Sequence, residues 1–184
     1  MMQAQFKVTF RNQIKALEFT LFIIAFLIAL LVYFKYDSNV IFISTIIFLA
    51  QFIPVLYLHF EYLRLNRDSS LIINSDLLTV KFFRNRQQMI DLSFNQIAKI
   101  ALYLPPSAYR GIIERKIQFL PIEPYGYAVI YSKAGDKALI TSLMIPDILS
   151  ELGAIEGVII DKKKGLFASP SFEKIIQWFL KDGL

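Results

Sequence analysis

The sequence predicts a two-part chain: a helical hairpin suited to a lipid bilayer, followed by a mainly β (α+β) domain. Three observations carry this. The chain is 55% hydrophobic, which is high for a soluble protein. The excess sits in two long uncharged runs between Phe19 and Leu63. Beyond Arg67 the apolar pattern changes from continuous or helical to short alternating segments separated by turn residues.

The first run, Phe19 to Tyr36, carries its single charge at Lys35. About 18 residues rising ~1.5 Å each span on the order of 27 Å, close to the hydrocarbon thickness of a bilayer. The second run, Val40 to Phe60, has no charged residue, and His59 near its end is the only histidine in the chain. A cleaved signal peptide and a pair of buried core helices are the competing readings; two consecutive full-length runs argue against the first, and their being apolar all round, which a small domain could hardly bury, argues against the second. The break at Lys35–Asn39 is so short that the two helices must be antiparallel neighbours. Ala25 and Ala29, four residues apart, predict a small-residue contact face. Ser44, Thr45 and Gln51 are expected to supply hydrogen bonds within the hairpin, and Pro54 to kink the second helix.

Lys7, Arg11 and Lys15 precede the first run, and Arg64 and Arg67 follow the second. The connecting loop holds only Lys35 against Asp37. This asymmetry predicts an integral protein of the cytoplasmic (inner) membrane with both termini in the cytoplasm. Tyr33, Tyr36, Tyr57 and Tyr62 are placed as interfacial anchors, and His59 as a side chain at headgroup depth. The expected division is 1–16, a cytoplasmic amphipathic segment; 17–63, the transmembrane hairpin; and 64–184, a cytoplasmic β domain with C-terminal helices. Within the first segment, Phe6, Phe10 and Ile14 recur at helical spacing beside Lys7, Arg11 and Lys15, which predicts a short helix on the inner leaflet. A strand-like tail is the competing reading.

In the β domain, strands are expected at 71–73, 78–83, 88–92, 97–104, 112–120, 127–132 and 137–141. Turns fall at Asn74–Asp76, Asn85–Arg86 and Ala134–Asp136. Seven short strands at near-regular spacing predict an antiparallel sandwich or open barrel. Ile145, Ile148, Leu149 and Leu152 then follow helical spacing, with Pro146 in the first turn and Gly153 at the stop. Segments 158–161 and 166–168 are expected to pair around a Lys162–Lys163–Lys164–Gly165 turn. Ser169 and Pro170 open a last helix whose apolar face is Phe172, Ile175, Ile176, Phe179 and Leu180, with Trp178 off that stripe.

The order of these elements, and the run from Leu71–Ile72–Ile73 through Asp76, Leu78–Thr79–Val80 and Ile90–Asp91–Leu92 to Ile97 and Ile100, resembles the opening of the bacterial pleckstrin-homology-like (PH-like) domains. Several of these follow a two-helix membrane hairpin. The resemblance covers about Arg67 to Gly153 and implies a binding module; the tail from Glu156 to Leu184 exceeds a minimal domain of this kind.

The absence of cysteine excludes disulfides and thiolate chemistry, and a single histidine excludes a multi-imidazole zinc site. No phosphate loop and no nucleophile elbow is present. No cofactor, and no enzyme activity, is therefore expected. Candidate contacts to anionic lipid are Lys81, Arg84 and Arg86 around the second hairpin and Lys162, Lys163 and Lys164. Candidate partner contacts are Tyr109, Arg110, Tyr125 and Trp178, the first three on Pro- and Tyr-rich loops. The expected partners are membrane lipids and a membrane or cytoplasmic protein, and a homo-oligomer is compatible with the pattern. Nucleic acid is not expected, because the membrane-flanking charges account for much of the basicity.

Overall fold

The structure, a computed structural model, describes residues 3–35, 37–105, 122, 124–153, 155, 157–164 and 169–171. The described elements are β1 (Gln3–Lys7), α1 (Phe10–Tyr33), α2 (Ser38–Asn66), β2 (Ser69–Asn74), β3 (Thr79–Arg84), β4 (Gln87–Ser93), β5 (Ile97–Leu104), β6 (Tyr127–Ser132), β7 (Lys137–Thr141), α3 (Ile148–Gly153) and β8 (Ile160–Lys164). A 3-10 turn at Phe94–Gln96 links β4 to β5. Two four-stranded sheets result, sheet A in the order β1-β2-β3-β4 and sheet B in the order β7-β6-β5-β8.

The two long helices are apolar enough and long enough to cross a membrane. Thr9 caps α1 by accepting from the Asn12 amide, and Asp37 caps α2 by accepting from the Asn39 and Val40 amides. Each side chain satisfies donors that the first helical turn leaves without partners. α2 continues through Pro54, and its environment changes there. Ile41, Phe42, Ile43, Ile46, Ile47, Leu49 and Ile53 are exposed, whereas Val55, Leu58, His59, Glu61, Tyr62 and Asn66 are buried. The upper part of the hairpin is thus a bare apolar stalk, and its base is part of the folded domain.

Sheet B forms the middle layer of three. On its inner face Ile97, Ile100, Leu102, Leu104, Ala128, Ile130, Ala138 and Ile140 meet Leu71, Ile73, Val80, Phe82, Ile90 and Leu92 of sheet A, and α3 closes this core with Ile148 and Leu152. On its outer face Ala101, Tyr103, Tyr127 and Leu143 pack against Ala16 of α1 and Val55, Leu58 and Tyr62 of α2. A strand covered on both faces needs apolar residues at every position, which explains the unbroken runs Ile100–Leu104 and Tyr127–Tyr131. Sheet A is covered on one face only and alternates accordingly, as in β2.

Several sequence expectations change. The N-terminal segment is a strand, antiparallel to β2 in the register Gln3↔Asn74 to Lys7↔Ser70. Only the part from Phe10 onward is helical, as the start of α1, and sheet A therefore begins before the hairpin and resumes after it. The lysine run is strand β8, pairing in parallel with β5 from Ile100↔Ile160 to Leu104↔Lys164, and not a turn. Ala25 and Ala29 are exposed on α1. The buried side chains of α1 are Ala16, Thr20 and Leu27, so the contact stripe follows that heptad-like spacing. The strand expected at 112–120, the pairing segment 166–168 and most of the last helix lie outside the described residues.

Candidate functional site

The direction of sheet B relative to the stalk follows from three hydrogen bonds. Asn66, at the base end of α2, donates through Nδ2 to the Leu139 carbonyl at 2.9 Å and accepts through Oδ1 from the Thr141 amide at 2.7 Å. Asn12 of α1 donates to the Leu143 carbonyl at 3.1 Å. Asn12 lies nearer the stalk than Asn66, since its helical neighbours reach Ala16, which packs with Val55. β7 therefore runs towards the stalk. β6 runs away from it, and β5 and β8 run towards it. Tyr103, Leu104, Gly126, Tyr127, Lys163 and Lys164 occupy the stalk end. Ile97, Lys99, Tyr131, Ser132 and Lys137 occupy the far end.

At the stalk end α2 fastens two other parts of the chain. The His59 Nδ1 and the Tyr125 hydroxyl share a hydrogen bond of 3.0 Å, and the Tyr125 ring packs edge-on against Tyr62. Tyr125 is fully buried, and burial pushes its hydroxyl well above the ordinary tyrosine pKa. The expected exposed partner contact at Tyr125 is thus an internal post, because its side chain packs against His59 and Tyr62 of α2. His59 is likewise buried and bonded within the protein. Glu61 accepts from Ser169 Oγ at 2.7 Å and from the Ser171 amide at 2.8 Å. The chain turns helical at Pro170, so a carboxylate from α2 accepts from an amide of this buried first turn, which has no intrahelical partner. Gly126 is hemmed in, since a Cβ there would lie 3.2 Å from the Tyr103 carbonyl oxygen.

The basic candidates separate into two places. Lys162, Lys163 and Lys164 are exposed on β8 near the stalk end. Lys163 bonds to the Tyr103 hydroxyl at 3.2 Å and sits over that ring, which stacks on Tyr127 at 4.3 Å. Lys81 is engaged by Asp91 at 3.0 Å. Arg84, the last residue of β3, and Arg86, in the two-residue turn to β4, are exposed, and the Asn85 amide in that turn donates to the Asp68 carbonyl at 2.8 Å. Asp68 lies just beyond Asn66, so this arginine hairpin flanks the far end of α2 and not the stalk. Tyr109, Arg110 and Trp178 lie outside the described residues.

Within the stalk, Thr20, Ile23 and Ile24 face Phe48, Gln51 and Phe52 across a small cleft. Thr20 Oγ1 and Gln51 Oε1 are buried there without a hydrogen-bond partner among the described residues. Thr45 bonds to the Ile41 carbonyl of its own helix, so it does not link the two helices. Among the described residues no group of three His, Cys, Asp or Glu side chains is placed to hold a metal ion.

No curated protein and no solved structure matches the chain. A family model described as PH domain matches residues 5–151, a span that starts in β1, contains both long helices and ends in α3. With the two sheets and the closing helix in place, that match over most of the sequence shows that the chain belongs to the PH domain family.

Proposed function

We propose that the protein is a membrane-anchored, non-catalytic binding module, an adaptor or accessory subunit of a membrane complex, with both termini in the cytoplasm. The observation that supports this most is the joint between domain and hairpin. The base of the helices is one wall of the outer-face core, which supports a β domain mounted directly on the hairpin. A rigid mount presents a surface in a set orientation, and loss of orientational freedom before binding favours association. Membership of a family that binds lipids or proteins supports the same class of role.

The test is affinity purification of the full chain in mild detergent, with co-purifying proteins identified and their stoichiometry measured. A stoichiometric membrane or cytoplasmic protein is expected. Recovery of the chain alone from every condition would sink the adaptor reading. A second reading, contact with anionic lipid, is favoured by one observation: the exposed lysines of β8 lie at the stalk end. Reversing Lys162 and Lys164 to Glu in the full chain is then expected to reduce co-purified anionic lipid. Unchanged lipid content would rule that contact out.

A further inference from the structure

β5 and β6 fall out of step at the far end of sheet B. Ile97 pairs with Ser132, but Lys99 pairs with Tyr131. The extra residue, Ala98, lets Ile97 and Ile100 both enter the core, which strict alternation forbids for residues three apart. The same bulge sets Lys99 beside Tyr131 on the outer face. Tyr131 pairs on its other side with Lys137. The result is a row across three strands, with each lysine Nζ 5.3 Å from the centre of the one ring. Both lysines are exposed, and the ring is half-buried.

Two cations drawn to one ring repel each other, and a carboxylate between them would relieve both. The chain does not supply it. Among the described residues, neither Lys99 nor Lys137 has an acidic side chain at ion-pair distance. Asp136 is turned to Ser132, which donates to it at 3.2 Å, and Asp161 stands opposite Ala101, nearer the stalk. This end points away from the apolar stalk, so a bilayer holding the stalk does not cover it.

We propose that the Lys99–Tyr131–Lys137 row is a docking surface for an acidic segment of a partner protein, whose carboxylates pair with the two ammonium groups across the face of Tyr131. The proposal rests on the adaptor reading and gives its partner a chemistry.

The test uses the full chain in phosphatidylcholine nanodiscs, titrated with a fluorescent Glu-rich peptide and with a Lys-rich control. The Glu-rich peptide is expected to bind and to weaken with added salt, and the control is expected not to bind. Lys99→Glu with Lys137→Glu should weaken binding roughly tenfold or more, whereas Lys162→Glu with Lys164→Glu should not. No binding of the acidic peptide, or equal binding by the Lys99/Lys137 variant, overturns the proposal. So does loss in that variant of binding to phosphatidylglycerol vesicles alone, which assigns the row to lipid. Co-purification separates the two readings. A partner kept equally by wild type and variant removes this surface but leaves the adaptor; no partner with either removes both.

Discussion

Arg86 has a φ of 66° and Asn85 a φ of 51°, both in the left-handed region. The turn they form joins Arg84 to Gln87 with two residues, the geometry that matches the twist of its strands. Asparagine tolerates that conformation, but arginine gains nothing from it. Arg86→Gly is expected to raise stability by about 1 kcal/mol, read as a shift in denaturation midpoint at unchanged slope. Tyr125 gives a pH prediction. Its folded pKa lies above the ordinary 10.0 because its hydroxyl is buried, so above that value the unfolded chain loses a proton the folded chain keeps. Its contribution is present below pH about 10 and is lost as pH rises beyond it. Tyr125→Phe should flatten that alkaline fall in thermal melts, and at neutral pH should cost about 1–2 kcal/mol through the unpaired His59. An unaltered alkaline limb would mean that other groups dominate it.

At the level of elements, the turns and strand periodicity were legible wherever the fold is local. The hairpins at Asn74–Asp76, Asn85–Arg86 and Ala134–Asp136 need only turn residues between alternating runs, and they appear where expected. β8 was not legible, because three lysines before a glycine read as a turn, and its parallel partner β5 lies far away in sequence. β1 was ambiguous for a different reason: Phe6, Phe10 and Ile14 fall at helical spacing although a strand ends and a helix starts between them. In the hairpin, Ala25 and Ala29 have the small-residue spacing of a contact face, while the buried stripe is Ala16, Thr20 and Leu27. Gln51→Leu should leave the hairpin as stable or more stable in detergent melts, since its Oε1 has no partner there. A lower melting temperature would show that the amide is engaged. The candidate site was the least legible part, because Lys99, Tyr131 and Lys137 come from three strands and meet only through the bulge at Ala98.

For the whole molecule, the outer face of sheet B decides what can be cut away. Ala101, Tyr103, Tyr127 and Leu143 pack in one cluster with residues of α1 and α2, and sheet A has four strands with β1 among them. A fragment from residue 64 onward is therefore expected to expose a large aromatic face and an unpaired β2 edge. It should aggregate or show no cooperative unfolding transition, whereas the full chain in detergent should unfold in one. A soluble, cooperatively folding fragment would refute the three-layer account.

The pairing of β1 with β2 also has a meaning for biogenesis. The two strands flank the apolar hairpin in the chain, yet they lie side by side in one sheet. The ribosome releases β1 first, and it waits for its neighbour until both helices have left the exit tunnel. The sheet then closes only if the hairpin has returned the chain to the side where β1 was left. A molecule whose helices insert singly, with its two ends on opposite sides, cannot complete the sheet and is left with open edges of the kind that quality control recognises. Closing the β1–β2 pair thus requires both ends of the hairpin on one side, the same requirement that the flanking charges express in the sequence.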